Sequence, residues 1–496
     1  MGKRSVSILF LLSVLALFGS RLAAEQPGSA APLDIGSQLQ LFVDDYLIGS
    51  THGVNLKLHE PRPAGKALAF DKPWEGVVSG YATVIEDGGL YRMYYRGASD
   101  PTYTLESVLK PGEVIIPAHD DFVCLAESRD GITWTKPALG LFEFQGSKKN
   151  NIIWNTLGAA NFAPFKDANP AAPAAERYKA VASDTVNKKP VLVAFVSPDG
   201  LHWKRLRAEP ILTDAAFDSL NVVFWDTLRK QYVAIYRDFD HGVRTIKFAT
   251  SDDFLKWTPG QWADFGNAPA EHLYTNATVQ YPRAPQVYVA IPRRFLPWRT
   301  YFEPLNARRM SGVSDAVFMS SRDGVHWTRF EEAFVRPGLD ERNWSHRANT
   351  PAVGMLQTAP NELSIYMERN YTFPTDYVER MVLRTDGFVS AHADYPGGEL
   401  ITKPIIFKGT SLVLNYSTSA IGHLRIEIQD EKGFPIPGFA LEESPLIFGD
   451  SIAQTVTWKH PPNMVEDPNP LRPLQGKAVR LLFVIEDADL YSFQFR

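Results

Sequence analysis

A single cysteine, Cys124, in 496 residues excludes an intramolecular disulfide and any thiolate-cluster metal site. No apolar run is long enough to cross a membrane: the one at residues 8–18 falls well short of the ~20 residues that a spanning helix needs. Neither sign of charge dominates, with 51 basic against 56 acidic side chains, so neither a nucleic acid nor an anionic membrane surface is expected as the main partner. Cofactor motifs are missing too. There is no H-E-x-x-H, no D-x-D-x-D-G loop, no G-x-G-x-x-G in a strand-turn-helix setting and no G-x-S-x-G elbow. Metal ligands, a nucleotide cofactor and a serine nucleophile are therefore not expected.

What is present points to a well-buried all-β protein. Hydrophobic residues make up 45% of the chain and charged ones 22%, and 12% aromatics with 34 Gly and 36 Pro suit short strands and turns. The N-terminus has the layout of a secretory signal peptide: Lys3 and Arg4, the apolar run, then small residues at Ala23 and Ala24. Cleavage near Ala24 leaves a secreted or periplasmic protein with no stable membrane anchor; a retained anchor is the alternative.

The chain is organised by a repeat. Ser128-Arg-Asp-Gly-Ile-Thr-Trp134, Ser197-Pro-Asp-Gly-Leu-His-Trp203, Ser251-Asp-Asp-Phe-Leu-Lys-Trp257 and Ser321-Arg-Asp-Gly-Val-His-Trp327 share one S-x-D-G-x-x-W frame, and Arg384-Thr-Asp-Gly387 is a degraded fifth copy. Copies lie 54 to 70 residues apart, about the length of a four-stranded sheet with its loops. Each follows an apolar strand, and the Asp-Gly makes a tight turn into the strand that the Trp begins. Upstream lie two further strand-like runs. The second reads Leu90-Tyr-Arg-Met-Tyr-Tyr95, Tyr178-Lys-Ala-Val-Ala182, Gln231-Tyr-Val-Ala-Ile-Tyr236, Val287-Tyr-Val-Ala-Ile291 and Glu362-Leu-Ser-Ile-Tyr366; the first begins near Tyr81, Asn161, Asn221, Asn276 and Asn349.

This order predicts a five-bladed β-propeller over residues 70–396, with the first strands lining a central funnel. Residues 25–69 form an N-terminal segment in which 38–48 is expected to help close the ring; a six-bladed ring starting there is the rival. From 397 to 496 the pattern changes to alternating strands separated by Gly and Pro turns, which predicts a C-terminal β-sandwich.

A propeller with S-x-D-G-x-x-W turns followed by a β-sandwich resembles the glycoside hydrolases of the invertase and arabinanase type, families 32 and 43. The resemblance implies a carbohydrate substrate and three carboxylates at the starts of inner strands: a base or nucleophile, a modulator and a general acid. The local motifs differ, since Tyr81-Ala-Thr-Val-Ile85 stands where an arabinanase-like enzyme has D-P-x-V-I, and W-M-N-D-P-N-G is absent. Sialidases carry a similar but longer turn on six blades and rely on an arginine triad, which the arginines here do not define in sequence.

Acids just before the inner strands are the catalytic candidates, because glycoside hydrolysis needs two carboxyl groups across one bond. Glu271 is the proposed acid, Asp218 the base or modulator, and Glu75, or one of Asp44 and Asp45, the remaining carboxylate. Asn161, Asn221, Asn276 and Asn349, with Tyr81 in the first repeat, form a ring of side chains that either satisfy strand-end backbone groups or bind sugar hydroxyls. His272, His346 and Arg347 are further polar candidates, and Arg347 suits a carboxylated or sulfated sugar. Trp74 and Trp344 lie in rim loops, where an indole face can stack on a pyranose. The expected function is an exported glycosidase acting on a plant or algal glycan; a non-catalytic, lectin-like carbohydrate-binding propeller is the alternative.

Overall fold

The computed structural model describes residues 31–99, 118–301, 312–458 and 469–496, and the predicted signal segment 1–24 lies outside them. The chain is all-β. Three sheets follow the repeat directly, each with its strands in sequence order: Gly80–Asp87 to Ile152–Trp154, Ala163–Lys166 to Lys204–Arg205, and Val222–Asp226 to Gln261–Trp262. In the fourth repeat each long strand is interrupted, so one half (His272–Thr275, Arg293–Leu296, Val313–Ala316) and the other (Val279–Gln280, Tyr288–Ala290, Met319–Ser321, Trp327–Arg329) form separate sheets. The fifth is built on Glu362–Arg369 and Tyr377–Arg384, and its outer strand is Arg62–Ala69 from the N-terminal segment.

Apolar side chains join these sheets in a cycle. Tyr94 and Leu125 of the first pack with Val193 and Phe195 of the second. Val181 and Ala194 of the second meet Ala234 and Tyr236 of the third, and Ile235 and Phe248 of the third meet Tyr288 and Trp327 of the fourth. Val289 then packs with Ile365, and Tyr366 with Met93 back in the first. The turn box explains how neighbours lock. In the first copy, the Ser128 hydroxyl accepts from the Gly131 N–H (2.9 Å), Asp130 accepts from the N–H groups of Ile132 and Thr133 (2.8 Å each), and the Trp134 indole donates to the Gly131 carbonyl (3.3 Å). The same bonds recur around Asp199 and Asp323. Trp134 meets Tyr366 edge-on at 5.6 Å, which carries the contact from the first sheet to the fifth.

Residues 38–48 add no strand to the sheets of the ring. Gln40–Leu41 pairs with Ala478–Phe495, and Ile48–His52 with Gly398–Thr402, in the C-terminal sheet. Strand alternation gives the reason. Leu39, Leu41 and Val43 face the core between the fourth and fifth sheets, while Phe42 and Leu47 enter the C-terminal core, so this segment serves both bodies. The C-terminal body is a ten-stranded sheet folded around one apolar core, with long strands Leu412–Asp430 and Ala478–Phe495 at its centre. It also recruits Leu33–Gly36, Asn55–Leu58 and Val389–Ala393, so it begins before residue 397 and draws on the N-terminal segment.

Candidate active site at the funnel mouth

A central cavity of about 480 Å3 is walled by one segment from each of the five repeats, at residues 83–86, 163–166, 222–225, 278–280 and 353–355. The strand starts at Tyr81, Asn161, Asn221, Asn276 and Asn349 therefore mark one end, the mouth. Backbone strain gathers there: Tyr81 (φ 51°), Phe217 (52°), Ala277 (42°), Arg347 (64°) and Asn349 (63°) all occupy the left-handed region. Non-glycine residues rarely adopt it without surrounding structure to hold them.

The four asparagines are buried and bonded to the scaffold. Asn221 donates to the carbonyls of Phe217 (2.8 Å) and Ser219 (3.1 Å) and accepts from the Arg237 N–H (3.0 Å). Asn276 donates to the Ile235 carbonyl (3.1 Å), and Asn349 to those of Ser314 and Asn343 (2.8 Å each). Asn161 accepts from the Ser183 N–H (3.0 Å). These bonds tie each strand start to neighbouring strands and loops at the mouth.

Glu75, Asp218 and Glu271 each have a different basic partner. Glu75 is buried in the first sheet, 2.5 Å from both the Lys136 ammonium and the Tyr95 hydroxyl. Glu271 lies 3.3 Å from Arg294 and 3.4 Å from Arg329 within the fourth repeat. Asp218 is at the mouth, with its side chain 81% exposed and 3.1 Å from Arg237. Asp44 is tied to Arg322 (2.7 Å). His272 accepts from the Arg244 N–H (3.1 Å), and burial and Arg244 hold its imidazole below the usual value. His346 packs edge-on against Phe295 at 5.2 Å. The Trp74 indole donates to Asn151 (2.7 Å) within the first sheet, whereas Trp344 stacks on Tyr301 with ring centroids 5.8 Å apart. Trp298, 68% exposed, approaches His272 at 6.4 Å.

A different charged group occupies the mouth, and it comes from the second strands. Six residues after the first residue of the runs at Leu90, Gln231, Val287 and Glu362 stand Arg96, Arg237, Arg293 and Glu368. Ser183 is their counterpart in the second repeat, since its N–H bonds Asn161 as that of Arg237 bonds Asn221. Glu368 is 5% exposed and lies 3.4 Å from the Tyr81 N–H. Burial pushes its carboxyl up to about 7, against the opposing pull of Arg293, Arg96, the Tyr81 N–H and Arg347. Asp376 is also buried, and burial, then repulsion from Glu368, raise it well above the carboxylate range. Four arginines surround the Tyr274 ring: Arg293 at 4.0 Å, Arg244 at 4.9 Å, Arg237 at 5.2 Å and Arg347 at 5.9 Å. Burial pushes the Tyr274 hydroxyl up, but Arg347, Arg293 and Arg237 bring it below the ordinary phenol value. Among the described residues, no group of three His, Cys, Asp or Glu is placed to hold a metal ion.

No family model matches the chain, and no curated protein does. Solved structures with a similar strand arrangement are glycoside hydrolase-like proteins. One described as a glycoside hydrolase aligns at a TM-score of 0.44 and 13% identity, over 66% of this chain and 92% of that one. A BT0996 chain in complex with RGII aligns at 0.43 and 14%, over 65% and 92%. An N-acetylgalactosamine deacetylase from F. plautii, in complex with blood group B trisaccharide, aligns at 0.41 and 12%, over 65% and 95%. These likenesses are distant in sequence.

Proposed function

We propose that the chain is a five-bladed propeller hydrolase that cleaves a glycosidic bond at the funnel mouth, with Glu368 as the proton donor. The observation that carries this reading is a buried carboxyl, raised to about 7, at the end of the funnel where the inner strands begin. A general acid works best when its affinity for a proton matches the working pH, and a glycosidase acid must arrive protonated. Glu368 gives its proton to the leaving oxygen as the bond from that oxygen to the anomeric carbon breaks. Asp218, across the arginines, is the second carboxyl group: it takes a proton from the attacking water, or bonds the anomeric carbon before water replaces it. Trp298 and Trp344 offer ring faces for sugar stacking. The Lys3-Arg4 and residue 8–18 pattern supports export, which suits action on a plant or algal polymer.

A lectin-like reading is favoured by one observation: none of the inner-strand starts, Tyr81, Asn161, Asn221, Asn276 or Asn349, is a carboxylate. Reducing-sugar release from neutral, uronic and sulfated polysaccharides, by the parent and by Glu368→Gln, separates the two. Turnover by the parent and its loss in the variant support the hydrolase; sugar binding without turnover by either supports the lectin.

A further inference from the structure

We infer that the mouth recognises a sugar carrying an oxyanion, a uronate carboxylate or a sulfate ester, through Arg237, Arg293 and Arg244. This rests on the reading above only in taking the ligand to be a sugar. Arg237 and Arg293 are each 1% exposed, yet much of their hydrogen-bonding capacity is unused. Among the described residues, Nε and Nη1 of Arg237 and Nε and Nη2 of Arg293 have no hydrogen-bond partner, nor does Nε of Arg244. Nη2 of Arg237 lies 3.1 Å from Asp218, but without the alignment of a hydrogen bond. The rest of Arg293 is fixed: its Nη1 donates to the Arg347 carbonyl (2.9 Å) and to Thr350 (2.7 Å). Arg244 is held by His272, 3.3 Å from its Nη1.

The charge around these groups does not balance. Arg237, Arg244 and Arg293 converge on Tyr274, and among the described residues the carboxyl groups acting on them are Asp218, which is largely in water, and Glu368, whose charged form burial disfavours; Asp376 and Asp121 act on Arg96 beside Tyr81. A buried guanidinium without a matching anion is costly to a fold, so its unused donors mark where an anion completes the site. The planar fork of arginine matches the paired oxygens of a carboxylate or sulfate, which a neutral hydroxyl does not offer. Tyr274, ringed by the same arginines, adds an acidified hydroxyl that donates to an oxyanion.

Isothermal titration of the full chain tests this with D-glucuronate, D-galacturonate and galactose 6-sulfate against glucose and galactose, with acetate and inorganic sulfate as sugar-free arms. At least tenfold tighter binding of one anionic sugar than of its neutral parent is expected, weakening as salt rises. Uronate and sulfate arms identify which oxyanion is bound. Arg237→Gln is expected to lose that preference while keeping its melting temperature, because the removed charge is poorly paired; Arg244→Gln, at the half-buried edge, is the second variant if Arg237→Gln does not fold. Equal affinity for neutral and anionic sugars overturns the inference and leaves the hydrolase reading standing. Binding of acetate or sulfate as tight as that of the sugars overturns it as well. Anionic-sugar binding without release of reducing sugar from any polysaccharide supports the inference and sinks the hydrolase reading.

Discussion

Gly80 and Glu368 share one space: a Cβ built on Gly80 would stand 2.1 Å from Glu368 Oε2, and Gly80 sits at φ 137°, where only glycine is comfortable. The start of the first inner strand is thus shaped around the carboxyl of the fifth sheet, which brings that group to the Tyr81 N–H. Gly80→Ala is expected to cost about 2 kcal/mol of stability or more and to lower activity by expelling Glu368 from its seat. Chemical denaturation of the variant beside its kcat/KM checks both effects.

The pH dependence follows from the same group. Folding raises the Glu368 carboxyl from its ordinary 4.5 to about 7, so it favours the protonated form. Its contribution to stability is complete below about 4.5 and is lost as pH rises through about 7; Asp376 acts in the same direction. Glu368→Gln is expected to flatten this part of the profile, seen as a smaller fall in melting temperature between pH 5 and pH 8. In the parent, kcat/KM should decline on the alkaline side as Glu368 loses its proton.

Glu75 is expected to act structurally, through its pairing with Lys136. Its side chain is fully buried against Lys136, itself only 9% exposed, so Lys136→Ala leaves a buried carboxylate without its cation. A loss of about 3–5 kcal/mol is expected from removing one partner of such a pair. Urea melts of Lys136→Ala and of Glu75→Gln, each with residual activity measured on the folded fraction, test whether the pair holds the first sheet rather than the chemistry.

Trp327 caps the joint between the third and fourth repeats, buried beside Phe248 and Tyr288. Trp327→Ala should cost about 3–5 kcal/mol without changing the preference among sugars. A shift in sugar preference at unchanged stability would put the box tryptophans in the site instead.

The fold was largely legible because its signals are local. A serine, an aspartate and a tryptophan at fixed spacing make the same hydrogen bonds wherever they occur, so the turns at Ser128, Ser197 and Ser321 announced their sheets. The third box, with Phe254 in place of glycine, still closes with Phe254 at φ 66°. The strand that completes the fifth sheet is less visible: Arg62–Ala69 has little alternation and only Leu68 is buried, whereas 38–48 looks like a strand because it serves two cores. The mouth was harder still. Asp218 lies before an inner strand, whereas Glu368 and the arginines Arg96, Arg237 and Arg293 lie at one register of the second strands. Their signal was a charged residue six places after the start of four such runs. An arginine there reads as a solvated strand end, and only closure of the ring turns it inward. Arginines spread from Arg237 to Arg347 in sequence thereby become neighbours around one tyrosine.

If Glu368 protonates the leaving oxygen, the damage done by its loss depends on the leaving group. The measurement is kcat/KM of parent and Glu368→Gln on a natural oligosaccharide and on a matching glycoside with an activated aryl leaving group, which needs no proton to depart. A loss of about 10²–10⁴-fold on the oligosaccharide and a much smaller one on the aryl glycoside are expected. Equal losses on both, or no loss on either, would contradict that role.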